Sequence, residues 1–254
     1  MTLTPFMFLL VCPFLFLAGF VDSIAGGGGL ISMPVYLLAG LPPHTAVATN
    51  KLSSTCGTAL TTVRFMKNNL INLKLAVPSI LAAIAGSSLG ARISMSLDEN
   101  ILRNIIICVL PVAAFFVLNK KMFSREGGKT AAVTIRTVTV SMTAAFLIGI
   151  YDGLYGPGTG SFLIIAFTVF AHLSVEAANA QAKAINLTTN LTALTLFLLS
   201  GKVLLPLGLA GAVCNMAGNY IGSGLVMKKG GKIVRPLLLA VLVILFIRLI
   251  MESV

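Results

Sequence analysis

Apolar residues run along this chain in long stretches, near 5–21, 28–41, 45–65, 74–95 and 102–119, and again near 132–151, 158–172, 177–200, 203–226 and 234–251. ILAAIAGSSLGA (80–91) and PLLLAVLVILFIRLI (236–250) are continuous, without the apolar–polar alternation of a membrane β-barrel strand. Continuity predicts helices, which satisfy their own backbone hydrogen bonds where water is missing. A polar interruption, NKKMFSREGGKTAAVTIR (119–136), carries five basic residues and one acid and divides the stretches into two sets of five. The predicted organisation is a first transmembrane repeat over 1–119, a basic linker over 120–131 and a second repeat over 132–254.

The two sets are related. At a spacing of 130, Gly19, Asp22, Gly26 and Gly28 meet Gly149, Asp152, Gly156 and Gly158. At a spacing of 132, Lys51, Phe65, Gly86, Gly90 and Arg103 meet Lys183, Phe197, Gly218, Gly222 and Arg235, so a two-residue slip in one loop is expected. Five segments per set is an odd number, which sends the second set into the membrane from the opposite side. The predicted fold is an all-α integral membrane protein of two homologous inverted repeats, with about 8–10 transmembrane helices. The short second segment of each set follows directly on glycines and is expected to be a broken or re-entrant helix.

Composition supports the lipid reading. The 254 residues are 57% hydrophobic and 10% charged, against roughly 25% charged in a soluble domain. The net charge of +11 does not indicate nucleic acid, because the basic residues flank apolar runs and act as topology signals. Alternating segments put twelve of them on one side, among them Arg64, Lys67, Lys74, Lys228 and Lys229. The other side receives four, Arg92, Arg103, Lys202 and Arg248. The richer side is expected to be cytoplasmic, with both termini outside. No basic residue precedes Lys51, so the first apolar run is not expected to be a cleaved signal. Cys12, Cys56, Cys108 and Cys214 lie in apolar runs at unrelated spacings and read as packing residues.

Two motifs carry candidate chemistry. GFVDSIAGGGGL (19–30) and GIYDGLYGPGTG (149–160) each place an aspartate and clustered glycines inside apolar sequence. Gly26, Gly27, Gly28 and Gly29 cannot hold a helix well, each costing about 1 kcal/mol relative to alanine. A helix that breaks and resumes exposes unpaired N–H groups and the positive end of its dipole, which suits an anion. Gly156, Gly158 and Gly160 offer a similar break, with Thr159 and Ser161 hydroxyls beside it and Pro157 in the first helical turn. Asp22 and Asp152 fit three roles: carrying a coupling proton, binding a cation, or pairing with Lys51 or Lys183 while capping the break.

The second motif pair is ATNKLSSTCGTALTTVRF (48–65) and QAKAINLTTNLTALTLF (181–197). Asn186 and Asn190 share a helix face with Lys183, and Ser54 and Thr58 match them in the first set, beside Asn50 and Lys51. Lysines supplying charge, with amides and hydroxyls supplying donors, make a face that closes on an oxyanion. Gly86, Gly90, Gly218 and Gly222, spaced by four, read as helix-packing positions. His44 and His172 read as loop histidines, Arg103 and Arg235 as interfacial anchors, and Asp98 with Glu99 as a helix start.

These residues resemble the sulfite exporter TauE/SafE family of bacterial and archaeal membrane permeases. The resemblance rests on GFVDSIAGGGGLISMP, GLPPHTAVATNKL, GIYDGLYGPGTGSFL, AKAINLTTNLTALTLFLLSGKV and GNYIGSGLVMKKGGKIVRPLLL, covering essentially the whole chain. It implies two homologous halves and movement of sulfite, organosulfonates or other small organic anions across the inner membrane. The expectation is a secondary active transporter working by alternating access in the export direction. The alternative is a proton or metal-cation transporter using Asp22 and Asp152. No ATP-binding G-x-x-x-x-G-K-[ST] loop and no hydrolase motif occurs, so no enzyme, cofactor or metal is expected. The expected partners are a small anionic substrate and the lipid bilayer, with a homodimer as the oligomer to test.

Overall fold

The apolar runs within 5–96 and 135–229 close their own backbone hydrogen bonds as helices in the computed structural model, which describes residues 3–98, 101, 133–230, 232–233 and 236–237. Eight helices are described: α1 (Pro5–Ala25), α2 (Gly29–Leu38), α3 (Pro43–Lys67), α4 (Leu73–Ser96), α5 (Ile135–Leu154), α6 (Thr159–Val169), α7 (Val175–Leu199) and α8 (Leu205–Lys229). No strand occurs among the described residues. The linker 120–131, Glu99, Arg103, Cys108, Arg235 and most of the apolar runs 102–119 and 234–251 lie outside the described residues.

Six helices have 20 residues or more, enough at 1.5 Å per residue to reach across a hydrocarbon core of about 30 Å. Of these, α1, α4, α5 and α7 are also apolar enough to span. Helices α2 and α6, with 10 and 11 residues, are too short to cross. Large apolar side chains face outward, with Leu9 75% and Leu199 81% exposed, while Lys51, Lys183, Asp22 and Asp152 are buried. Apolar outside and charged inside is stable only with lipid as the solvent. The chain is a multi-pass helical membrane protein.

Small residues set the packing. A Cβ at Gly86 or Gly90 of α4 would run into the carbonyls of Phe146 and Ile150 of α5. One at Gly218 or Gly222 of α8 would run into the carbonyls of Phe16 and Phe20 of α1. The backbones therefore touch, as close helix pairing in membranes requires. Both contacts are parallel and each is the counterpart of the other at the repeat spacings.

The closest packing thus joins helices from different sequence halves. Helices α1, α3 and α8 form one three-helix body with α2 against it, and α4, α5 and α7 form the other with α6. The two bodies meet chiefly where α3 lies against α7. That contact is antiparallel, since Lys51 reaches Asn190 while Thr62 reaches the Lys183 carbonyl.

Turns repeat as well. Gly40 and His172 are left-handed at φ 86° and 54°, and Asn69 and Gly201 at 55° and 67°, each pair 132 residues apart. The two-residue slip is not confined to one loop: α6 and the turn after it absorb the extra length relative to α2 and its turn. His44 lies in the first turn of α3 and not in a loop, because Pro42 and Pro43 start that helix.

Candidate functional site

The glycines break both helices. α1 ends at Ala25, and Gly26 follows at φ 75° with its N–H donating to the Asp22 carbonyl at 2.8 Å. That left-handed turn is open to glycine at little cost. In the second half α5 ends at Leu154, Gly156 turns at φ 99°, and Gly158 at φ 85° is the N-cap of α6. Pro157 therefore precedes the N-cap instead of occupying the first helical turn. Its carbonyl accepts from the Tyr151 hydroxyl at 2.6 Å.

The breaks meet each other. A Cβ on Gly26 would collide with the backbone of Gly160, and one on Gly160 with the backbone of Gly26. Gly29 faces Pro157 in the same way. Ser161 Oγ donates to the Ala25 carbonyl at 2.7 Å, so a hydroxyl beside one break satisfies the end of the other helix.

The buried charges pair across the halves. Lys51 Nζ of α3 lies 2.8 Å from Asp152 Oδ2 of α5, and Lys183 Nζ of α7 lies 2.8 Å from Asp22 Oδ2 of α1. The exchange is reciprocal, and each pair joins one three-helix body to the other. Thr159 Oγ1 donates to Asp152 Oδ1 at 2.7 Å, tying that carboxylate to the start of α6. Lys51 also donates to Asn190 Oδ1 at 3.0 Å, and Asn190 Nδ2 donates to Asn186 Oδ1 at 3.3 Å. On the first half, Ser32 Oγ donates to Asn50 Oδ1 at 2.6 Å, with Ser54 Oγ at a longer 3.5 Å.

These groups surround a cavity of about 20 Å³, room for roughly one water molecule. Its wall includes Asp22, Gly26, Gly29, Asn50, Lys51 and Ser54 from the first half. Asp152, Gly156, Thr159, Gly160, Asn186 and Asn190 come from the second. Gly27, Gly28 and Gly158 shape the turns without facing the space, and Lys183 stands behind Asp22. The sequence had the lysines supplying charge to an oxyanion and left their pairing with an aspartate open. Each lysine is neutralised by an aspartate, because an unpaired charge at this burial is prohibitively costly. Of the three roles open to the aspartates, the geometry shows the pairing with lysine for both, and neither carboxylate hydrogen-bonds a helix-start N–H among the described residues.

Two participants went unread in the sequence. Ser32 reads there as a lone hydroxyl in LISMP, although it holds Asn50. Asn179, fully buried, donates to the Ser23 carbonyl at 3.3 Å and links α7 to α1. Its position one turn before Lys183 was the available signal. Among the described residues no three His, Cys, Asp or Glu side chains come together as metal ligands would. Cys12, Cys56 and Cys214 are free thiols.

The sequence model of the family described as Sulfite exporter TauE/SafE matches residues 11–249. The chain belongs to that family. This TauE/SafE protein is 37% identical over 238 residues to a probable membrane transporter protein, ORF9, of Sinorhizobium sp., covering 93% of this chain and 90% of that one. It is 34% identical to the probable membrane transporter protein YfcA of Escherichia coli K12, over 93% and 87% of the two chains. A Bacillus subtilis 168 relative, the probable membrane transporter protein YunE, shares 23% over 94% and 95%. No solved structure is a significant match to the TauE/SafE chain.

Proposed function

We propose that this protein is a secondary transporter that moves a small anion, sulfite, an organosulfonate or a related oxyanion, out of the cell by alternating access. One observation carries the reading: two reciprocal lysine–aspartate pairs bridge the two helix bodies where the broken helices meet. Helix starts at α2 and α6 offer N–H groups to an oxyanion, and the amides and hydroxyls of Asn50, Ser54, Asn186 and Asn190 add donors.

The halves are inverted repeats in this reading, with linker and basic ends cytoplasmic and both termini outside the inner membrane. The antiparallel run of α3 against α7 supports the inversion. The units that rock are the mixed bodies, α1, α2, α3 and α8 against α4, α5, α6 and α7, because packing inside each exceeds packing between them. The cavity has room for about one water molecule, so this conformation is closed to a larger anion and the bodies pivot to load it.

The site contains two lysines and two aspartates and is electrically neutral. An anion entering it brings uncompensated charge unless a carboxylate takes a proton, and Asp22 and Asp152 are the groups placed to do so. A dianion leaving with one proton still carries net charge outward, which an inside-negative potential favours by about 2.3 kcal/mol per 100 mV.

The test is efflux of radiolabelled sulfite or sulfonate from proteoliposomes under a clamped potential, with and without a pH gradient. Flux that follows the potential supports the reading; no flux of any anion sinks it. Cation transport is the second reading, favoured by the two carboxylates that face the cavity while Lys183 does not. It requires cation flux that D22N and D152N abolish and Lys51→Met spares.

A further inference from the structure

The two ion pairs correspond in the repeat and differ in what surrounds them. In Lys51–Asp152 each member is braced by a further hydrogen bond, Lys51 by Asn190 and Asp152 Oδ1 by Thr159, while Asp152 Oδ2, 2.8 Å from Lys51 Nζ, accepts no hydrogen bond among the described residues. The repeat spacing of 132 puts Thr58 where Asn190 stands, and the spacing of 130 puts Gly29 where Thr159 stands. A threonine hydroxyl ends short of an asparagine carbonyl, and the fully buried Thr58 Oγ1 has no hydrogen-bond partner among the described residues. Gly29 brings no side chain at all, and a Cβ there would sit 2.9 Å from Pro157 Cα. Lys183–Asp22 therefore lacks both braces. Lys183 Nζ donates to Asp22 alone among the described residues, although an ammonium offers three N–H groups. The Asp22 side chain is 12% exposed, against 2% for Asp152.

We infer that Lys183–Asp22 is the pair that opens for substrate, while Lys51–Asp152 stays closed and pins the α6 break; Thr58 and Gly29 decide which pair does which. The inference rests on the transport reading above. An ion pair held by nothing else separates more readily than one whose two members are each fixed by a further hydrogen bond. Separation frees an ammonium with all three donors beside a carboxylate that already faces the cavity. Thr58 acts here as a positioning residue through what it fails to provide: its length leaves Lys183 unclamped. An asparagine at 58 is close to threonine in size and brings the carbonyl that Asn190 brings to Lys51.

The experiment uses the full chain, with radiolabelled sulfite efflux from liposomes and thermal unfolding in detergent followed by a thiol-reactive fluorescent dye. T58N is expected to lower flux about tenfold or more, the effect of one added hydrogen bond to a charge, while melting at or above the wild-type temperature. D22N is expected to melt closer to wild type than D152N. T58N flux within about twofold of wild type overturns the inference, that difference being too small for a new bond to a charge. T58N melting below wild type overturns it too, since the amide then fails to reach Lys183, as does equal melting of D22N and D152N. If wild type carries no anion, the transport reading falls, and the melting comparisons alone still decide whether the pairs are unequal.

Discussion

Replacing Asp152 by asparagine keeps an acceptor for Thr159 and removes the charge that balances Lys51. The pair is 2.8 Å apart with both side chains 2% exposed. At an effective dielectric of about 20 the attraction is about 6 kcal/mol, part of which offsets the desolvation of both groups. Removing one partner of such a pair costs about 3–5 kcal/mol, because the ammonium that remains is buried without a counter-charge. Asn190 alone still accepts from it. At about 2–4 °C per kcal/mol for a chain of this size, the melting temperature falls by about 10 °C. The chain contains no tryptophan, so its thiols make the reporter: Cys12, Cys56 and Cys214 are free and partly buried in helices. A dye that fluoresces on reacting with them reads unfolding directly. Adding Lys51→Met to D152N removes the stranded charge and is expected to recover at least half of the loss. D152N melting within about 2 °C of wild type, or a double variant no better than D152N, refutes the electrostatic argument.

Other outcomes are equally specific. Gly26→Ala forces a Cβ into a left-handed turn and against the Gly160 backbone, so expression of folded protein drops and the loss exceeds the about 1–2 kcal/mol of the dihedral alone; a melting curve checks it. Thr159→Val leaves Asp152 Oδ1 without its hydroxyl donor and lowers stability by about 1.5–3 kcal/mol, the worth of a hydrogen bond to a charge, read in the same assay. Gly86→Leu and Gly218→Leu each push apart a backbone contact of the same kind, so both are expected to block folding to a similar degree, as size-exclusion profiles in detergent show.

Much of the site was legible because its residues are out of place in lipid. Aspartate, lysine and clustered glycine inside apolar runs need a local reason, and the repeat showed that each occurred twice. Gly26 as a turn and Gly218 as a contact follow from residue type. The Ser32–Asn50 bond did not, since one serine in LISMP has the composition of any packing residue.

Membrane residence, the two broken helices and the doubling of the chain are written in composition and spacing, which act over a few residues at a time. Partner choice is not. Lys51 with Asp152 and Lys183 with Asp22 join residues 101 and 161 positions apart, and helices α4 and α8 pack against the opposite half of the chain. Only the fold brings these together, because the burial that makes an unpaired charge intolerable exists only once the helices have assembled.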